Sequence, residues 1–151
     1  MKNKKKLITT ILIILWLCMI FGHSLMPGEV SYEESGFFTE LLLRLFPFAG
    51  TAENIGFIIR KAAHFTEFMI LGILLTVRFF DSFDKFMKRF MTLAATGLTA
   101  AFIDETIQIF VKGRGSSVAD MWVDLAGAAT GILITSLIVN RRKRKQLGRE
   151  K

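Results

Sequence analysis

In "RKAAHFTEF", residues 60–68, an amine, an imidazole and a carboxylate recur at intervals of three, at Lys61, His64 and Glu67. On a helix that spacing covers about a third of the circumference, so the three groups line one wall. A second stretch, "DETIQ", carries Asp104, Glu105 and Gln108, with Asp104 and Gln108 one turn apart on a shared face. A third, "GRGSSVADMWVD", brings Arg114, then Asp120 and Asp124, again one turn apart. These types suit acid–base chemistry: Glu67 or Glu105 as general base with His64 as its partner, and Arg114 steadying an anionic group such as a lipid-linked phosphate. They equally suit architecture, with Lys61, Lys112 and Arg114 pairing carboxylates to fix helix register, since buried ion pairs are often structural.

The surroundings of these groups are oily. The chain has 151 residues, 52% of them apolar, and a mean hydropathy of +0.44. That is room for one domain and too greasy for an ordinary soluble one. The net charge of +7 comes from short basic clusters at the ends of apolar runs, with no basic helix interleaved with stacking aromatics, which argues against nucleic acid as a partner. Cys18 stands alone and cannot form an internal disulfide; packing is its expected role. The basic start and apolar run of residues 1–24 are read as a first span, being long for a signal peptide and poor in cleavage signals.

Hydropathy gives an all-α polytopic membrane protein, a bundle of four transmembrane helices at about 7–25, 62–80, 90–111 and 118–139, each near the ~20 residues a bilayer core requires. One domain then covers 1–140, and a basic tail without fixed structure covers 141–151. Lys2 to Lys6, the 78–89 region and "RRKRK" at 141–145 carry the basic clusters, so the positive-inside rule makes both termini and the 81–89 loop cytoplasmic. The segment "GFFTELLLRLFPF", bounded by Gly36 and Pro47, is too short to span and reads as a helix on the outer membrane surface, with a lid over the bundle mouth as its rival. Gly127 with Gly131, and Gly97 with Ala101, are spaced for close helix contacts within the bundle.

Counting inward at ~1.5 Å per residue puts Glu67, Glu105 and Asp124 about 9 Å below the outer surface in one layer. His64, Gln108 and Asp120 lie above them, and Lys61, Lys112 and Arg114 above those. An ionised carboxylate inside a span costs roughly 2.5–3.5 kcal/mol on insertion scales, so this many require partners or water. Glu67, Asp104, Glu105, Asp120 and Asp124 face only Lys61, Lys112, Arg114 and His64, which leaves an acidic excess. A proton on Glu67 or Glu105 would relieve it, as would a divalent cation held by Glu105, Asp120, Asp124 and His64. No spacing here is diagnostic of a metal, and no cofactor is expected.

The stretches "RKAAHFTEFMILGILL" and "DETIQIFVKGRGSSVADMWVDLAGAATG" resemble the VanZ-like family of bacterial membrane proteins, named for a teicoplanin-resistance protein. The resemblance covers residues 60–131 and falls on Lys61, His64, Glu67, Asp104, Glu105, Gln108, Arg114, Asp120, Asp124 and Gly127. Ile107 stands where many relatives have a histidine, which removes a nitrogen a metal site would use and makes the proton the expected answer to the acidic excess. The resemblance implies a polytopic protein of the bacterial plasma membrane and cell envelope, associated in the name-giving member with glycopeptide resistance, and it supplies no reaction. Three functions follow: binding or altering a surface component through an outward-facing polar pocket, an enzyme acting on a lipid-linked or phosphate-bearing envelope substrate, and a small proton-coupled transporter. Membrane lipid and an envelope component are the expected partners.

Overall fold

A computed structural model describes residues 2–46 and 51–148, and among them the chain is all-α. The helices are α1 (Lys2–Ser24), α2 (Gly28–Leu45), α3 (Ala52–Phe79), α4 (Phe86–Ile109) and α5 (Val118–Leu147), with a single 3-10 turn, Phe80–Ser82, after α3. Among the described residues three segments, Asn3–Ser24, Ala52–Ser82 and Val118–Leu147, are long and apolar enough to cross a membrane. α4 has the length, but Lys88 and Arg89 at one end, Asp104 and Glu105 at the other and four threonines along it dilute its apolar character.

α1 is apolar nearly all round, exposing Leu7, Ile8 and Leu15 while burying Ile13 and Ile20. A helix of this kind needs lipid or protein on every side, because water would be in contact with hydrocarbon wherever it is uncovered. α3 and α5 run parallel at the centre of the bundle. A Cβ added to Gly127 would collide with the Phe65 carbonyl, one on Gly131 with the Met69 carbonyl, and one on Gly72 with the Ala128 carbonyl. Backbone therefore touches backbone, the contact that small residues permit where no hydrophobic effect drives helices together. α4 leans on the same seam, a Cβ on Gly97 coming 2.9 Å from that of Ala128. Phe68, Leu71, Ala101, Ala128 and Ile132 fill the core around it.

The two ends of the bundle differ chemically. At one, Arg78 donates from Nε to Thr10 Oγ1 at 2.8 Å, the Arg89 guanidinium lies 4.0 Å over the Phe80 ring, and Lys143 pairs with Asp81 at 2.5 Å. At the other, the carboxylates collect.

Helix ends depart from the sequence expectations. α3 begins at Ala52 rather than near 62, because Thr51 caps it, accepting from Asn54 N–H at 3.4 Å. Lys61, His64 and Glu67 thus sit mid-helix. α2 begins at Gly28 rather than Gly36, whose surroundings are open enough for the helix to pass through it. The expected boundary at Pro47 lies outside the described residues. The basic "RRKRK" run continues α5 to Leu147 instead of lacking structure, as cations near a helix C-terminus favour. Cys18 is exposed on α1, not packed inside.

Candidate functional site

The turn between α4 and α5 shapes one end of the bundle. Gly113 has φ +78°, in the left-handed region that glycine tolerates. Its carbonyl approaches Gly28 so closely that a Cβ there would collide, and Gly28 N–H donates to Lys112 O at 3.1 Å. The start of α2 is thereby fastened to the turn. Arg114 next to it donates from Nη2 to His23 O at 2.7 Å and from Nε to Met26 O at 3.1 Å, tying the turn to the last turn of α1 and the segment after it. Ser117 caps α5, its Oγ accepting from Ala119 N–H at 3.2 Å, while its own N–H donates to Glu105 Oε2 at 2.7 Å. One short turn thus positions α1, α2, α4 and α5 together.

Beneath it lies a buried polar cluster. Asp104 and Asp124 have no exposed surface, and Glu105 and Gln108 are almost as deep. The Ser24 hydroxyl donates to Asp104 Oδ1. Gln108 Nε2 donates to Asp104 Oδ2 at 3.0 Å and to Glu105 Oε1 at 3.5 Å, joining the two acids of its own helix. His64 reaches in from α3, Nδ1 standing 3.3 Å from Asp124 Oδ1 and 3.9 Å from Asp104 Oδ2. The Asp124 approach is close enough for charge attraction but misaligned for a hydrogen bond, and among the described residues neither Asp124 oxygen has a hydrogen-bond partner. One ligand atom from each of His64, Asp104, Glu105 and Asp124 lies within 4.8 Å of the others.

The remaining acids are engaged elsewhere. Glu67 Oε1 lies 3.1 Å from His23 Nδ1, and its backbone carbonyl accepts from Trp16 Nε1 at 2.9 Å. Asp120 pairs with Lys61. The single layer expected of Glu67, Glu105 and Asp124 is therefore divided, Glu67 turning toward α1 and Glu105 and Asp124 toward His64, while Asp120, expected above them, pairs at the rim. Asp104 takes the place expected for Asp120 in the histidine–carboxylate quartet. Arg114 binds backbone rather than a carboxylate, and Lys112 is exposed.

Above the quartet opens a cleft of ≈ 400 Å³ whose walls include Arg60, Lys61, His64, Gln108, Arg114 and Asp120. Arg60 stacks 4.6 Å over the Tyr32 ring and donates from Nη1 to Ser35 Oγ at 3.4 Å, so α2 forms one rim. A second cavity of ≈ 170 Å³ shares Ser31, Arg60, His64 and Arg114 with it and is otherwise bounded by Phe38, Ile59 and Ala63 together with His23 and Ser35. His23, Ser24, Trp16 and Arg60 were not among the residues expected here. The signal for the first two was present: "GHS" ends the apolar run of α1 at the depth where the other helices carry their acids.

Chemically, the arrangement offers a cationic rim, an imidazole midway and a carboxylate floor. No curated protein and no solved structure matches the chain. Residues 9–139 match the VanZ/LLP1 family, most of the chain including every helix that contributes to this site, and the protein belongs to that VanZ-like family of membrane proteins.

Proposed function

We propose that this is a multi-pass protein of the bacterial plasma membrane whose outward-facing cleft binds the anionic head of a phosphate-bearing, lipid-linked component of the cell envelope. The observation that carries this reading is the make-up of the rim, where Arg60, Lys61 and Arg114 line the cleft with Asp120 as the one carboxylate among the described residues. Guanidinium groups suit phosphate because their planar N–H donors match its oxygens. The adjoining apolar cavity beside Phe38 and Ile59 supports a lipid-linked ligand over a free anion. In this reading α4 is a fourth crossing, which its ties at both ends support: Arg89 to the Phe80 carbonyl at one, Asp104 and Glu105 to Ser24 and Ser117 at the other. α2 lies at the outer surface, Phe37, Leu41 and Leu45 facing lipid. Masking or altering such a component is how the protein would contribute to tolerance of teicoplanin-type antibiotics.

The test uses purified protein in nanodiscs with a polyprenyl monophosphate, the corresponding polyprenol and inorganic phosphate, read by native mass spectrometry. The polyprenyl phosphate is expected to be retained, the polyprenol lost, and Arg60→Gln to weaken retention about tenfold, the loss of one charge-assisted hydrogen-bonding group. Equal retention of phosphate and alcohol forms would overturn the reading, and displacement by millimolar inorganic phosphate would make the ligand a free anion.

A further inference from the structure

The buried carboxylates below the cleft present a separate problem. Asp124 is fully buried, and both of its oxygens lack a hydrogen-bond donor among the described residues. An orphaned buried carboxylate is costly, and among the described residues no lysine or arginine pairs with Asp124: Lys61 meets Asp120, and Arg114 meets backbone at the end of α1. Asp104 and Glu105 are hydrogen-bonded, but each by donors that leave lone pairs over: Ser24 and Gln108 on one, Ser117 N–H and Gln108 on the other. A carboxylate has about four acceptor positions, so both retain capacity toward the centre of the cluster. Donors arranged behind carboxylates in this manner are what orients metal ligands from outside.

We infer that His64, Asp104, Glu105 and Asp124 form a binding site for one divalent cation. The separations agree: ligand atoms within 4.8 Å of one another can share an ion, since two ligands on opposite sides of it at about 2.1–2.4 Å stand roughly 4.2–4.8 Å apart. The charge agrees too. A single proton would neutralise one of three buried carboxylates and leave two in repulsion, whereas a dication addresses all three at once. Three carboxylates with one imidazole suit a hard ion that also accepts nitrogen, manganese rather than calcium. The ≈ 400 Å³ cleft, walled by His64 and Gln108, gives the ion a way in. This inference does not depend on the anionic ligand proposed for the rim.

The experiment titrates manganous chloride into chelator-treated, detergent-purified full-length protein and follows the ion by electron paramagnetic resonance. One ion per chain is expected, with an electron spin-echo modulation from a coordinated imidazole nitrogen. The chain has two histidines, which makes the assignment sharp: His64→Gln should remove the nitrogen coupling and His23→Gln should keep it. Asp124→Asn should weaken binding by about tenfold or more. No stoichiometric binding, binding without nitrogen coupling, or coupling lost with His23 and kept without His64 would each overturn the site. So would a neutral-carboxyl infrared band at pH 7 in protein that ignores manganese, which assigns the excess charge to a proton. If Asp124→Asn fails to accumulate, the coupling in the unmodified protein and in the two histidine variants still decides.

Discussion

Asp120 and Asp124 stand one turn apart on α5 and meet different fates, one pairing with Lys61 and the other left to His64. Helical spacing placed both on the same face and could not say which would reach the rim lysine, because that depends on the register between α3 and α5. Asp104 and Glu105 pose the reverse case: adjacent residues point about 100° apart on a helix, yet Gln108 bridges them and both face the cluster. The types and approximate depth of the site residues were thus legible, and their pairing was not. His23 and Ser24 escaped notice for a related reason, being dozens of residues from their partners in sequence. The His23–Glu67 contact at 3.1 Å yields a prediction at this scale. His23→Ala should lower stability by about 1–3 kcal/mol, the usual cost of stranding a largely buried polar partner. Adding Glu67→Gln should recover part of it, with a coupling of about 0.5–3 kcal/mol in a double-mutant cycle measured by unfolding in mixed detergent. Strictly additive losses would mean that the pair contributes nothing.

Among the elements, spans found by hydropathy and helices formed by the backbone proved to be different objects. Apolar composition marks the part of a helix that suits hydrocarbon, and each helix continues until a cap or turn ends it: α3 starts at its Thr51 cap, before the apolar run, and α5 goes on through the basic residues to Leu147. The small-residue spacing was more informative, since Gly127 and Gly131 lie where α5 touches α3. It did not reveal Gly72, which supplies the same closeness from the other helix. Because this seam sets the register that delivers His64 to Asp124, packing and site are coupled. Gly131→Val places a branched side chain against the Met69 carbonyl and should cost about 1–3 kcal/mol or more through overpacking. Gly22→Ala, in open space on α1, should be nearly silent. Thermal unfolding of the two purified variants separates them, and equal midpoints would mean that the α3–α5 seam is not the close contact described here.

For the whole molecule, the question is which side of the membrane the site faces and whether α4 crosses. Lys4, Lys5 and Lys6, Arg78, Lys85, Lys88 and Arg89, and the 141–145 run gather at the end away from the site, whereas the site end carries fewer cations, Arg44, Arg60, Lys61, Lys112 and Arg114, of which Lys61 is paired, and the flanking α2 adds Glu29, Glu33 and Glu40. Translocation disfavours uncompensated Lys and Arg near span ends, which is the argument for the proposed orientation, with the basic end cytoplasmic. Cysteines introduced singly at Glu33, Asp84 and Lys112, all exposed positions, read out both points in a Cys18→Ala background. In intact cells an impermeant maleimide should label Glu33→Cys and Lys112→Cys and spare Asp84→Cys until the membrane is opened. Labelling of Asp84→Cys alone would invert the protein and turn the cleft toward the cytoplasm. If Asp84→Cys and Lys112→Cys reacted alike, α4 would not separate two compartments; its polar ends would then explain its weak apolarity as that of a helix lying at the interface, and the outward cleft would lose the wall that carries Asp104, Glu105 and Gln108.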